Sequence, residues 1–159
     1  MKEYTENELR TKAEAYCAKT ERCPMEVEQK LDQWGADEEM KARILASLEK
    51  DRFIDTARYC KAFVRDKYRF ARWGRNKIVQ ALRLKRLPPE DIRAGLEEID
   101  EDEYSRMLRE VLAQKEKQVT GRNDYECAMK LIRFAVSRGF TLDEVKRYIH
   151  QASDNAYLD

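Results

Sequence analysis

One histidine, three prolines and five glycines serve a chain of 159 residues, and each scarcity closes off a class of function. The five glycines form no GxGxxG and no Walker loop, so the sequence encodes no phosphate cradle of that kind. Cys17, Cys23, Cys60 and Cys127 lack CxxC spacing, so neither a zinc knuckle nor a redox pair is encoded locally. Reduced thiols acting as small apolar fillers are expected instead. His150 stands alone, tied to no Ser or Cys motif, and a place near a helix C-terminus suits it. Glu97-Glu98 and the run Asp100 to Glu103 read as solvated helix starts rather than acid/base dyads. No catalytic residue, no metal site and no cofactor is therefore expected. Uncharged stretches are equally scarce. The longest, Tyr148 to Ser153, has six residues, too few for a membrane span or for a signal's apolar core of roughly 7–15. A soluble, cytoplasmic, non-enzymatic protein with no membrane partner is expected.

What remains is charge on a lean apolar frame. Leu, Ile, Val and Phe number 13, 7, 7 and 5, a fifth of the chain, which with high net charge would favour disorder. Here 32 basic and 31 acidic residues leave a net charge of +1, which argues for folding. Forty percent charged residues fit a thin, elongated helical body better than one thick globule.

The apolar periodicity is helical throughout and nothing alternates as a strand does. Thr5 with Glu8 has capping-box spacing and opens a helix carrying Leu9, Ala13, Tyr16 and Cys17. Pro24 suits the first turn of a second helix with Val27, Leu31 and Trp34, which Gly35 can end. Asp37 caps a third, with Met40, Ile44, Leu45 and Leu48 inward. The pattern then returns. Asp55 opens a helix with Cys60, Phe63 and Val64 inside. After Gly74 comes one with Ile78 and Leu82, and Pro88-Pro89 restart the chain before Ile92, Leu96 and Ile99. The last third offers Tyr104, Leu108, Val111 and Leu112, then Leu131, Ile132, Ala135 and Val136, then Val145 and Ile149 after Gly139.

Val27, Ile78 and Leu131 correspond at separations of 51 and 53 residues, and Met40, Ile92 and Val145 at 52 and 53. The expected fold is all-α, a tandem array of three three-helix repeats, 5–51, 52–99 and 100–152, elongated and curved. Such an array closes its core without a second copy, so a monomer is expected.

Charge is unevenly spread along this frame. Residues 1–50 carry a net −3, residues 51–95 a net +8 and residues 96–159 a net −4. Between Arg58 and Arg86 eleven basic residues face one acid, Asp66, with Tyr59, Tyr68, Phe70 and Trp73 interleaved. On a helix running from 55 to about 71, Arg58, Lys61, Arg65 and Arg72 would share one stripe. Such a surface suits phosphates or carboxylates, with rings available for stacking. The candidate binding residues are Arg58, Lys61, Arg65, Lys67, Arg69, Arg72, Arg75 and Lys77, with Tyr68 and Trp73 beside them. A merely solvated face would mix the two signs as the flanking thirds do. Residues 24–50 also suggest a helix-turn-helix, but the acids Asp37-Glu38-Glu39 leading its second helix would repel DNA phosphates.

These residues together resemble the RecX family, bacterial modulators of the RecA recombinase. Phe53-Ile54-Asp55 before Arg58-Tyr59 resembles the family's opening, and Ala62-Phe63-Val64-Arg65 its most recognisable tetrapeptide. Gly74 with Ile78, Leu82 and Lys85 behind it completes the middle signature. Ala15-Tyr16 and Val27 to Leu31 fit the first repeat, and Arg138-Gly139-Phe140 before Asp143 and Val145 fits the third. The likeness spans roughly residues 6–150. Two positions depart from it: Arg86-Leu87 stands where a glycine is frequent, and Arg75 follows Gly74 where a small residue or proline is usual.

The resemblance implies tandem three-helix repeats that bind the groove of the RecA–DNA filament. It implies dampening of filament growth, ATP hydrolysis and strand exchange, with weak, non-specific contact to single- or double-stranded DNA. The residues themselves leave a second reading open, a non-sequence-specific DNA- or RNA-binding helical module acting through its basic middle repeat. Preference for RecA-coated over naked DNA separates the two.

Overall fold

The structure of the chain, a computed structural model, describes residues 3–149, so His150 and the end of the third repeat lie outside it. Eight helices follow in order: α1 Glu6–Lys19, α2 Pro24–Gln33, α3 Glu38–Lys50, α4 Thr56–Arg69, α5 Arg75–Leu84, α6 Pro89–Leu96, α7 Glu101–Glu116 and α8 Asp124–Ser137. A ninth helical segment, α9, covers 142–149, and no strand occurs among the described residues. The all-α, helical-repeat character is as expected.

Helix starts follow the local sequence closely. Thr5 and Glu8 close a reciprocal capping box at α1, and Asp37 Oδ1 accepts the Met40 N–H at 2.9 Å. Asp55, Asp100 and Asn123 cap α4, α7 and α8 by accepting from the N–H three residues on. Thr141 and Glu144 form another reciprocal box at α9. Each cap satisfies a donor that the helix itself cannot, worth about 1 kcal/mol. The run Asp100 to Glu103 is thus a helix start as expected. Glu97-Glu98 is not: both lie in the turn that follows α6.

Helix ends are more revealing. At α2 the Gly35 N–H reaches Asp32 O and the Ala36 N–H reaches Leu31 O, with Gly35 at φ 89°. The same pair of bonds ends α8 at Gly139, φ 98°. It ends α5 at Arg86, φ 59°, where Arg86 N–H meets Arg83 O and Leu87 N–H meets Leu82 O. Arg52 makes the same turn after α3 at φ 63°. This closure needs a left-handed residue at its centre, where glycine sits freely and an L side chain costs roughly 1 kcal/mol or more.

The chain forms two compact units, one running up to Phe63 and joined by Leu82–Gly95, the other of Val64–Ala81 and Leu96 onward. The middle sequence repeat therefore contributes to both. In the first unit, Leu9, Ala13, Cys17, Val27, Leu31, Ile44, Leu48 and Ile54 make the core, with Tyr16, Trp34, Met40 and Leu45 packed against it. Burying each aliphatic chain stabilises by about 1.5–3 kcal/mol. Lys41, on α3, is buried but held by Asp32 and Glu38, both at 2.7 Å. Thr56 donates to Asp91 at 2.6 Å, and Gly95 lies so near Cys60 that an added Cβ would come 3.0 Å from its carbonyl.

In the second unit Tyr104 links Tyr68 and Phe140, with ring centroids 6.4 and 5.8 Å away. Leu108, Val111, Leu112, Leu131, Ala135 and Val145 are buried there too. Val136, expected inward, is 49 % exposed, because the buried face of α8 runs through Leu131 and Ala135 instead. Gly74 and Gly139 meet backbone to backbone: the Gly74 N–H donates to Arg138 O at 2.8 Å and the Asn76 N–H to Gly139 O at 2.9 Å.

Candidate functional site

The basic segment reads differently in space from its linear pattern. Helix α4 ends at Arg69, not near 71, and Arg72 takes φ 58° in the connection to α5. The stripe expected through Arg58, Lys61, Arg65 and Arg72 therefore stops at Arg65. The reason is the Gly74–Gly139 approach: the chain must turn before Gly74 can place its N–H on Arg138 O.

Four of the candidate cations already hold carboxylates. Arg58 Nε lies 2.7 Å from Glu21 Oε1, while its Nη2 donates to the Arg52 and Phe53 carbonyls at 3.1 and 3.4 Å. That arginine ties the α3–α4 connection to Glu21. Arg69 grips Glu103 through two bonds, Arg72 Nη2 meets Glu110 at 3.3 Å, and Arg75 holds both Glu101 and Glu144, the latter at 3.4 Å. The Glu103 hydrogen bond raises the Arg69 pKa further; burial lowers that of Arg75, but the Glu101 bond and the charges of Tyr104, Glu101 and Glu144 together outweigh it. The acids of the third sequence repeat thus meet the cations of the second. The two signs of charge, separate along the sequence, pair with each other within one unit.

The remaining candidates separate by position. Arg65 is exposed on α4, and Lys61 is half-buried. The Lys67 and Lys77 ammonium groups both lie over the Trp73 ring, 4.7 and 4.6 Å from its centroid. Cation–π attraction of this kind gathers two charges on one aromatic surface. Tyr68 is a different case: it is fully buried, with its hydroxyl 3.4 Å from Glu103 Oε2, so it serves the core and presents no ring to a partner. Tyr59 is also buried, for an apolar side of α4 faces inward at both positions.

Phe70, one of the rings interleaved with the cations, stays exposed, and Leu84 is an exposed apolar group that the sequence pattern did not mark. Phe70 is 80 % exposed beside a cleft of about 320 Å³ lined also by Arg69, Arg72, Arg106 and Met107. Leu84 is 78 % exposed between Arg83 and Arg86, which are exposed as well. Helical periodicity marked none of these, since both apolar residues sit at helix ends where the period breaks.

Cys17, Cys23 and Cys60 are buried and Cys127 half-buried. Burial pushes the Cys60 thiol up to about 11. Among the described residues no three His, Cys, Asp or Glu side chains converge as metal ligands would, and no helix is long and apolar enough to cross a membrane.

Short helices closed by glycine and arginine turns and carrying ion-paired basic residues define a helical-repeat protein. Residues 55–96 match the family model described as the second three-helix domain of RecX. The regulatory protein RecX of Clostridium botulinum (strain Alaska E43 / Type E3) is 33% identical over 138 residues, covering 84% of this chain and 63% of that protein. Regulatory protein RecX of Clostridium perfringens (strain SM101 / Type A) is 28% identical over 155 residues, 95% of this chain and 69% of its own length. The crystal structure of RecX from Lactobacillus salivarius shares the fold with a TM-score of 0.81 at 17% identity, over 92% of this chain and 95% of that one. The chain belongs to the RecX family. It spans less than two thirds of the length of the first of these relatives, at 63%.

Proposed function

We propose that this protein is a non-catalytic regulator that binds the RecA–DNA filament and dampens its growth, ATP hydrolysis and strand exchange. One observation carries the reading. The segment that matches the RecX second three-helix domain, 55–96, coincides with the only third of the sequence in strong positive excess, 51–95 at net +8. A filament presents a line of DNA phosphates beside protein lobes of mixed charge. A body carrying both cations and ion-paired acids can meet the two together. In this reading the chain is three three-helix repeats, acts as a monomer in the cytoplasm, and contacts its partner through the middle repeat. Arg65, Lys67, Lys77 and Trp73 carry that contact, while Arg58 holds the fold.

The test is ATP hydrolysis by RecA on single-stranded DNA with increasing amounts of this protein. Inhibition is expected well below one molecule per RecA, because a block at one growing end affects every subunit that would have added beyond it. Charge reversal at Arg65 and Lys67 together should weaken inhibition while leaving helicity intact. Absence of any effect at equimolar amounts would overturn the filament reading. Direct nucleic-acid binding through the basic middle repeat would then stand as the function.

A further inference from the structure

The three second helices of the repeats, α2, α5 and α8, end in the same hydrogen-bonded turn. Its left-handed centre lies eight residues after Val27, Ile78 and Leu131, the buried positions that correspond across the repeats. Gly35 and Gly139 fill it in the outer repeats, at φ 89° and 98°. Arg86 fills it in the middle one, at φ 59°. The residue that follows is covered in each case: Ala36 packs against its core, and Leu87 and Phe140 are buried. The turn thus asks the same backbone conformation of all three positions, which glycine adopts without strain, although Gly139 is also needed for its close approach to Gly74 and Lys77. An arginine there is held against its backbone preference.

Local structure gives it no compensating role. Among the described residues no carboxylate comes within ion-pair distance of the Arg86 guanidinium, unlike Arg52 and Arg72, the other left-handed arginines, which pair with Asp55 and Glu110. Compensation of the helix dipole does not need it either, since Arg83 already supplies a cation in the last turn of α5. The charge of Lys85 acts instead on Glu26, whose carboxyl is held below its ordinary value, against burial, chiefly by its hydrogen bonds with Cys23. What Arg86 adds is a second outward guanidinium beside Arg83, with Leu84 78 % exposed between them.

We infer that the end of α5, Arg83, Leu84 and Arg86, is a contact point for the sugar–phosphate backbone of a nucleic acid. Two guanidinium groups three residues apart can each take a phosphate oxygen, and Leu84 offers an apolar surface to the sugar or base between. Unlike Arg58, Arg69, Arg72 and Arg75, neither Arg83 nor Arg86 holds a carboxylate among the described residues, and two such guanidiniums favour the regularly spaced charges of a nucleic acid over an acidic protein patch. The assignment deepens the nucleic-acid side of the proposed function and rests on it, but its test needs no RecA.

The experiment is fluorescence anisotropy of a labelled oligo-dT with the full chain, across a salt series, for wild type, Arg86→Gly and Arg86→Lys. Arg86→Gly relaxes the turn, so its melting temperature should rise by about 2–4 °C. Its affinity should nonetheless fall about threefold, and the slope of log affinity against log salt should flatten by roughly 0.7, one phosphate contact on a single strand. Arg86→Lys keeps the charge and the strained turn and should keep the wild-type slope. Unchanged affinity and slope in Arg86→Gly would overturn the assignment. So would normal oligo-dT binding combined with lost inhibition of RecA, which would place an acidic protein surface here. A melting temperature that does not rise would overturn the strain argument itself. Failure of the filament reading registers separately, as a wild-type protein without effect on RecA.

Discussion

Arg69 holds the Glu103 carboxylate with two parallel hydrogen bonds, Nε to Oε1 at 2.8 Å and Nη2 to Oε2 at 3.3 Å. The buried Tyr68 hydroxyl approaches the same carboxylate at 3.4 Å. Glu103 thereby joins the end of α4 to the first turn of α7. Arg72–Glu110 and Arg75–Glu101 repeat the pairing along the same two stretches of chain. The excess of positive charge in the middle of the sequence and the excess of negative charge after it meet in this unit.

Release of those pairs should expose latent anion affinity. Replacing Glu103 and Glu110 by Gln frees Arg69 and Arg72. Anisotropy with oligo-dT should then show tighter binding and a slope against salt steeper by about one to two. The cost in stability should be small. A double-mutant cycle on Arg69 and Glu103 by urea unfolding should give a coupling of about 1 kcal/mol or less, since both groups are more than a third exposed. Unaltered DNA binding in the double Gln variant would mean that these arginines never face the strand.

The glycine contact should be the most sensitive point of the second unit. A Cβ at Gly74 would lie 2.3 Å from the Gly139 carbonyl carbon, and neither backbone can retreat without breaking the bonds to Arg138 O and Gly139 O. Gly74→Ala should therefore destabilise by about 3 kcal/mol. Gly35→Ala meets nothing within 4 Å and should lose only about 1 kcal/mol through its positive φ. Equal losses for the two variants in urea unfolding would refute the close approach.

Asp55 gives a pH signature. Its carboxylate accepts the Arg58 N–H, which holds its pKa below the ordinary 3.8; burial opposes this, and Arg52 supports it. A lowered folded pKa contributes stability that is full above about pH 4 and is lost as pH falls through the folded value. Asp55→Asn keeps the acceptor and removes the charge. Wild type should be more stable than the variant by about 0.5–1 kcal/mol at pH 6, and the gap should close toward pH 3. A gap independent of pH would show that the charge contributes nothing.

The thiols should separate by accessibility. Cys127 is half-buried, whereas Cys17, Cys23 and Cys60 are buried, with burial raising the Cys60 thiol to about 11. A thiol-specific reagent at pH 8 should modify Cys127 first, and Cys23 and Cys60 only as the protein unfolds. Rapid modification of Cys60 in the native protein would contradict the packing of α4 against Gly95.

Much of the fold was legible because its signals are local. Thr5 with Glu8, Asp37, Asp55 and Asp100 start their helices as a short side-chain acceptor must, and Gly35 and Gly139 end theirs. Val27, Ile78 and Leu131 recur at the repeat spacing because each lies on the buried face of a second helix. The end of α4 was not legible. Nothing near Arg69 stops a helix by itself; the stop depends on Gly139, far along the chain.

The sequence by itself determined most helix starts and caps, most of the buried faces and the family, since these depend on residues a few positions apart. Tertiary structure alone decided which charges are spent within the molecule. Whether Arg69 meets Glu103 or Tyr68 meets Tyr104 depends on helices separated by more than thirty residues, brought together by apolar burial and blind to the charges they carry. It likewise decided that Arg86, one basic residue among eleven in the linear pattern, occupies a turn that its two counterparts give to glycine. A left-handed turn at the glycine position of the repeat, with no carboxylate paired to it, singles it out, and no count of charge could.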